Sequence, residues 1–317
     1  FSCICYYNII MNSQSVLNQI SKKFHNSKDK YSVHHKIKKH IEELCHDKDF
    51  IQNVIKDSIR EEKFFGNSTN LFFYLLIEGD VIIAINLFPP IRDKAKDITV
   101  DNIHHHGWRL LTTGVIVGNG YESINFIKKS HENIEGNQVK IKIDRIFRHT
   151  HDSVQFVESD QAHVVFHPQT TTATLAIWSA DRDLVNQRFK NTIKNYPKTI
   201  KLVSNVVHKI GLNKILGLNQ KKNVHYIPEN NQIIIDPNPP KSSDGNKIEI
   251  TDCILKFLQE INFNDYSFLK KIEKIIPLES KVTYNKLINK QFIPDIGIIG
   301  NNNRRFSKKE ILESIKN

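Results

Sequence analysis

The sequence predicts a mainly β core, of sandwich or barrel type, set between two helical segments. Two observations carry this. The hydrophobic period changes near Phe64 and again near Asp181, and about eight short apolar runs bounded by turn residues lie between those points without an intervening helical period. The chain accordingly divides into an N-terminal helical segment (1–65), a β domain (66–182) and a helical C-terminal region (183–317) with a hairpin or extended loop near 224–247.

Each element has its own signal. "SVLNQISKKF" and "HHKIKKHIEELCHDKDFIQNVIKDSIREEKFF" place apolar residues three and four apart with charge between them, as helices with one buried face do. His34, His35, His40 and His46 read as solvated positions on these helices. "LFFYLLIEGDVIIAINLFPP" (71–90) reads as two strands about a Glu78-Gly79-Asp80 turn. Further strands follow in "RLLTTGVIVGNGYESINFI" (109–127), "QVKIKIDRIFRH" (138–149), "SVQFV" (153–157), "HVVFH" (163–167) and "TTATLAIWS" (171–179). "KIKID" and "TATLAIW" alternate with period two, the mark of a strand with one face buried. Beyond Asp181 the helical period returns in "RDLVNQRFKNTIKNYPKTIKLVSNVVHKIGLNKIL" and "TDCILKFLQEINFNDYSFLKKIEKII", and the basic tail reads as a solvated helix.

Composition excludes several classes. The 317 residues carry 45 Lys+Arg against 34 Asp+Glu, a formal charge of +11, but the lysines are spread along the chain and form no stripe suited to nucleic acid. No run of eighteen apolar residues occurs. The sole methionine, Met11, predicts translation starting there, with residues 1–10 upstream of the native start. Of the four cysteines, Cys3 and Cys5 lie in that stretch, and Cys45 and Cys253 have no CxxC spacing. A reducing, cytoplasmic setting is expected.

The chemistry concentrates in "IHHHGWRLLTTGVIVGNG" (103–120). Successive side chains of a strand point to opposite faces, so His104 and His106 share a face and His105 points away. Two imidazoles at i and i+2 hold neighbouring positions on one metal ion. The third ligand is then His163, which opens "HVVFHP" after the turn-like "ESDQA". A second HxH, His149 and His151 in "RHTHDS", is a rival ligand pair but lacks the following apolar strand and glycine; the alternative role is for one of the two to contact substrate or support the site. Arg109 and Arg145 are the cations placed to face a pocket there.

HxH, a glycine (Gly118) fourteen residues after His104, and a lone histidine on a later strand resemble the cupin superfamily, with His167 where asparagine is commoner. Within it, the set is similar to the cysteine dioxygenase type of thiol dioxygenases. Many cupins add a glutamate shortly after the second histidine; Leu110 and Leu111 stand there, and no acidic residue lies between His106 and Glu122. The resemblance covers roughly residues 70–180. It implies a double-stranded β-helix (jelly-roll barrel), non-haem Fe(II) held by His104, His106 and His163, and oxidation of a small thiol or amino-acid-like substrate by O2; the expectation of no membrane and no nucleic-acid partner rests on composition alone. Three neutral imidazoles also suit Zn(II), Ni(II) or Mn(II). Ala180 stands where thiol dioxygenases place a tyrosine near the metal, the nearest aromatic being Trp178, and no arginine lies on the two early strands. The alternative is a metal-containing cupin that binds a small effector or a protein partner without turnover.

Overall fold

A computed structural model describes residues 13–58, 71–92, 98–100, 103–106, 109–127, 132–134, 138–140, 143–159, 161–181, 222–227, 232–236, 246–298 and 307–315. The expected native start at Met11 and the helical reading of 183–221 fall outside them.

Four helices open the chain: α1 (Ser13–Asn26), α2 (Lys30–Lys36), α3 (Lys38–His46) and α4 (Lys48–Ser58). Asp29 caps α2 by accepting from the Ser32 amide at 2.9 Å, and Asp47 accepts from the Phe50 amide at 2.9 Å where α3 gives way to α4. Their apolar stripes, including Leu17, Ile20, Phe24, Ile41, Ile51 and Ile55, are buried.

Among the described residues, eleven strands follow before Asp181: β1 (Phe72–Glu78), β2 (Val81–Phe88), β3 (His104–His105), β4 (Arg109–Val117), β5 (Tyr121–Phe126), β6 (Glu132–Ile134), β7 (Gln138–Lys140), β8 (Ile143–His149), β9 (Val154–Val157), β10 (His163–Val165) and β11 (Thr172–Ala180). Eight of them pair in a nested way: β2 with β11, β3 with β10, β4 with β9, and β5 with β8, all antiparallel. A long double ribbon is thereby rolled into two sheets, one ordered β1-β2-β11-β4-β9 and the other containing β3-β10-β5-β8. That winding is the jelly roll. The fold is a mainly β core with flanking helices, as the sequence predicts.

The strand predictions need four amendments. β6 falls in a stretch that the sequence did not mark as a strand, and "TATLAIW" lies in β11, which is buried on both faces instead of one because helices cover the outer face. "QVKIKIDRIFRH" is not one strand but two: β7 pairs with β6 and with the strand Gln232–Asp236, and β8 pairs with β5. The expected C-terminal hairpin, β12 (Lys222–Ile227) and β13 (Gln232–Asp236), lies in the second sheet, where β12 pairs with β3.

Helices α5 (Lys247–Glu260), α6 (Tyr266–Glu273), α7 (Lys281–Ile288) and α8 (Lys308–Ile315) complete the described chain. Asn246 and Glu249 form a reciprocal capping box at the start of α5. One cluster of buried apolar residues joins α1–α4, the outer face of the first sheet (Ile83, Ile85, Leu175, Ile177) and α5 (Ile254, Phe257, Leu258).

His34 corrects the reading of the N-terminal histidines as solvated. It has no exposed surface and sits 2.7 Å from the Thr112 hydroxyl through Nδ1 and 2.9 Å from the Ser179 hydroxyl through Nε2. Both partners lie on the outer face of the first sheet, so α2 is docked there by a hydrogen-bonded imidazole as well as by apolar contact. Burial lowers its pKa to about 3. His46 is exposed, as expected.

Candidate metal centre

Register decides which side chains meet inside the barrel. His104 pairs with His163 across β3 and β10, and His163 pairs with Asn125 across β10 and β5. Directly opposed residues share a sheet face, so these three side chains stand in one row. His106, just past the end of β3, closes the set. Ring centroids are 4.5 Å apart for His104–His163, 4.9 Å for His106–His163 and 5.1 Å for His104–His106. One nitrogen from each ring lies within 4.8 Å of the others, and His104 and His163 are buried. His105 lies outside the cluster and pairs with Lys222 of β12.

The chemistry of this donor set fits a divalent metal ion. The three donors converge from two elements, and imidazole nitrogens bind a divalent transition metal at roughly 2.1 Å. The Nδ1–H of His163 donates to the Gln161 carbonyl at 3.2 Å, which fixes the tautomer and puts the lone pair on Nε2. Among the described residues the donor cluster consists of histidine alone.

The first sheet supplies the opposite wall. Trp178 pairs with Ile82 on one side and Leu111 on the other, and Leu111 pairs with Val157. Trp178, Leu111 and Val157 pack as one apolar group with Ala84 and Ala176. The Trp178 ring meets that of His106 edge-on at 6.3 Å. The aromatic beside the triad is therefore Trp178, two residues before the position that Ala180 occupies.

Two residues along the strands from this wall, the interior turns polar. Gln155 donates to the Ser123 hydroxyl at 3.3 Å and to Asn125 Oδ1 at 3.4 Å, tying the two sheets together. Asn86 pairs with Thr174, and the oxygens Asn86 Oδ1 and Thr174 Oγ1, with Asn125 Nδ2, are buried without a hydrogen-bond partner. Their inward parity was visible in "VIIAINLF" and "YESINF" as a lone asparagine in each apolar strand, a signal the histidines overshadowed.

The remaining predicted site residues are spread out. Arg145 is in register with Asn125, about 10 Å from the His163 backbone at 4.8 Å per strand. It is exposed on β8, reaches the Phe156 carbonyl at 3.5 Å and lies over the Phe147 ring. Arg109 starts β4 beside Ala180, one row beyond Trp178 at the mouth, and burial lowers its pKa while Tyr74 and Asp80 oppose that. His149 is buried opposite Tyr121, four residues from the Asn125 row and so about 13 Å along the strand. Its Nε2–H donates to the Ser153 carbonyl at 3.0 Å, and burial lowers its pKa to about 4. His151 lies in the β8–β9 turn and stacks on His46 of α3. The structure brings neither His149 nor His151 to the triad. His167 donates through Nδ1 to the Pro89 carbonyl at 3.0 Å.

No protein-family model matches the chain, and no curated protein matches it. Among solved structures it is similar to the cupin domain of Schizosaccharomyces pombe Cnp3, at 11% identity and a TM-score of 0.25, over 37% of this chain and 64% of that one. It is also similar to a cupin protein from Bacteroides fragilis (14% identity, TM-score 0.24, 36% of this chain and 79% of that one). A third is a Klebsiella pneumoniae protein with a double-stranded β-helix domain (10% identity, TM-score 0.25, 40% and 82%). The chain thus spans less than two thirds of the Cnp3 domain. The fold assignment rests on the nested strand pairing described above. No helix among the described residues is long and apolar enough to cross a membrane.

Proposed function

We propose that the protein is a cupin-type oxidoreductase in which His104, His106 and His163 hold Fe(II), and that it oxidises a small thiol or amino-acid-like substrate with O2. The observation that carries this reading is the all-imidazole donor set, in which His104 and His163 share an inner row and His106 adjoins it. Neutral ligands leave the ion's charge uncompensated, which favours an anionic donor from the substrate. Fe(II) held by these three residues would supply a redox-active Lewis acid.

The chain's own residues do the rest. The Gln161 carbonyl orients His163, while Trp178, Leu111 and Val157 present an apolar wall that keeps bulk water from the ligands. Arg109, beside Ala180 at the start of β4, and Arg145, in register with Asn125 on β8, are two cations on the inward-facing parity. A substrate carboxylate would be held by one of them.

Anaerobic Fe(II) loading, elemental analysis and O2 uptake with a panel of thiols test the reading. One iron per chain in the wild type, none in the same site of His163→Ala, and thiol-dependent uptake are expected. Bound iron without uptake sinks the oxidoreductase and leaves an effector-binding domain. Failure of His163→Ala to lower the metal content sinks the site itself.

A further inference from the structure

We propose a second metal site, on the outside of the barrel, in which His46, His151 and Asp152 take a divalent transition-metal ion such as Zn(II) or Ni(II). His46 ends α3, while His151 and Asp152 form the turn between β8 and β9, so the three residues come from elements more than a hundred positions apart. One donor atom from each lies within 4.8 Å of the others. His46 Nε2 is 3.9 Å from Asp152 Oδ1, and the two imidazoles stack with centroids 4.4 Å apart and planes 11° apart. His151 Nδ1 is buried without a hydrogen-bond partner, a ring nitrogen that a metal would satisfy.

The surroundings favour a cation. The C-terminal end of α3 carries the negative end of its dipole. The adjoining cleft, of about 430 Å³, is lined by Glu42, Glu43, Asp47, His46 and Lys39, three acids against one lysine. Two imidazoles with one carboxylate select a borderline transition metal over Mg(II) or Ca(II). Imidazole lone pairs lie in the ring plane, so stacked rings cannot both aim at one ion. Binding therefore turns the His46 ring about χ2, which its half-exposed position allows. Occupancy pins α3 to the β8–β9 turn beside the open edge of the barrel. This site does not depend on the triad.

Zn(II) titration of the wild type, His46→Ala, Asp152→Asn and His163→Ala, followed by calorimetry and by the ring nitrogens of the histidines in NMR, tests it. The expected result is one more equivalent in the wild type than in His46→Ala, with affinity for that equivalent at least about tenfold weaker in Asp152→Asn. His163→Ala keeps the equivalent, and the ring nitrogens of both His46 and His151 shift on binding. His40→Ala, which removes another helix histidine (paired with Glu43), leaves the count unchanged. Equal stoichiometry in the wild type and His46→Ala overturns the proposal, as does an equal loss in His40→Ala, which marks nonspecific surface binding. Should His163→Ala fail to fold, the comparison of wild type with His46→Ala decides alone.

Discussion

His34 and His149 give the molecule a directional response to acid. Both are buried and uncharged, with pKa values lowered by burial to about 3 and about 4. The unfolded chain, whose histidines titrate near 6.5, takes up these protons first as pH falls. The stability they contribute is therefore complete above about pH 6.5 and is lost on descending towards the folded-state values. By pH 5 each removes on the order of 2 kcal/mol. Urea midpoints measured from pH 7.5 to 5 should fall accordingly, and His34→Gln, though less stable at neutral pH, should show a shallower fall; an unchanged slope would contradict the argument. Thr174 makes the opposite case. Its buried hydroxyl has no partner, so Thr174→Val should raise stability by about 1 kcal/mol, read as a higher denaturant midpoint. A lower midpoint would show that the hydroxyl is bonded. At this scale the sequence singled out His104 and His106, because alternation along a strand is a local property, whereas His163 was singled out by its resemblance to the cupin pattern. The sequence concealed His34, because burial of a helix histidine depends on which sheet face docks against it.

Turns and registers hold the rows in place. Gly118 and Gly120 have positive φ, at 87° and 76°, and they carry the chain from β4 in the first sheet to β5, the strand of Asn125, in the second. A Cβ at Gly120 would lie 1.6 Å from the His149 carbonyl oxygen, inside any allowed contact. Gly120→Ala therefore meets a conformational penalty and a backbone clash together, and should destabilise by roughly 3 kcal/mol or more, measured by chemical unfolding. A near-neutral result would mean that the β4–β5 turn differs from the one described. Turn-bounded runs of apolar and β-branched residues made most strands between 71 and 180 legible as elements, though not β6. Such runs could not separate β7 from β8, since the break between them is a change of partner and leaves no mark in hydrophobicity. For the same reason the pairing of β12 with β3, the strand that carries His104, was invisible: pairing is a long-range choice made by the unrolled ribbon's edges.

At the scale of the whole molecule, the three segments read from the sequence share one core. The outer face of the first sheet, with Ile83, Ile85, Leu87, Leu175 and Ile177 each at most 3% exposed, is covered by Leu17, Ile20 and Phe24 of α1 and by Ile254, Phe257 and Leu258 of α5. In a small free-standing barrel that face would be polar, alternating with the inner one. Here β11 is buried along its entire length, Thr172 to Ala180, so neither face is designed for water. Exposing a buried Ile, Leu or Phe costs about 1.5–3 kcal/mol, and a domain's whole stability is about 5–15 kcal/mol. Removing the helices uncovers more apolar side chains than that margin carries. The segment 66–182, expressed alone, should therefore aggregate or remain unfolded, whereas the full chain unfolds in one cooperative transition. Sedimentation velocity and circular dichroism of the two proteins check this. A monomeric 66–182 fragment with a sharp thermal transition would show that the helices are appended to an independent barrel, and would move the whole-molecule argument back to the boundaries that periodicity alone suggested.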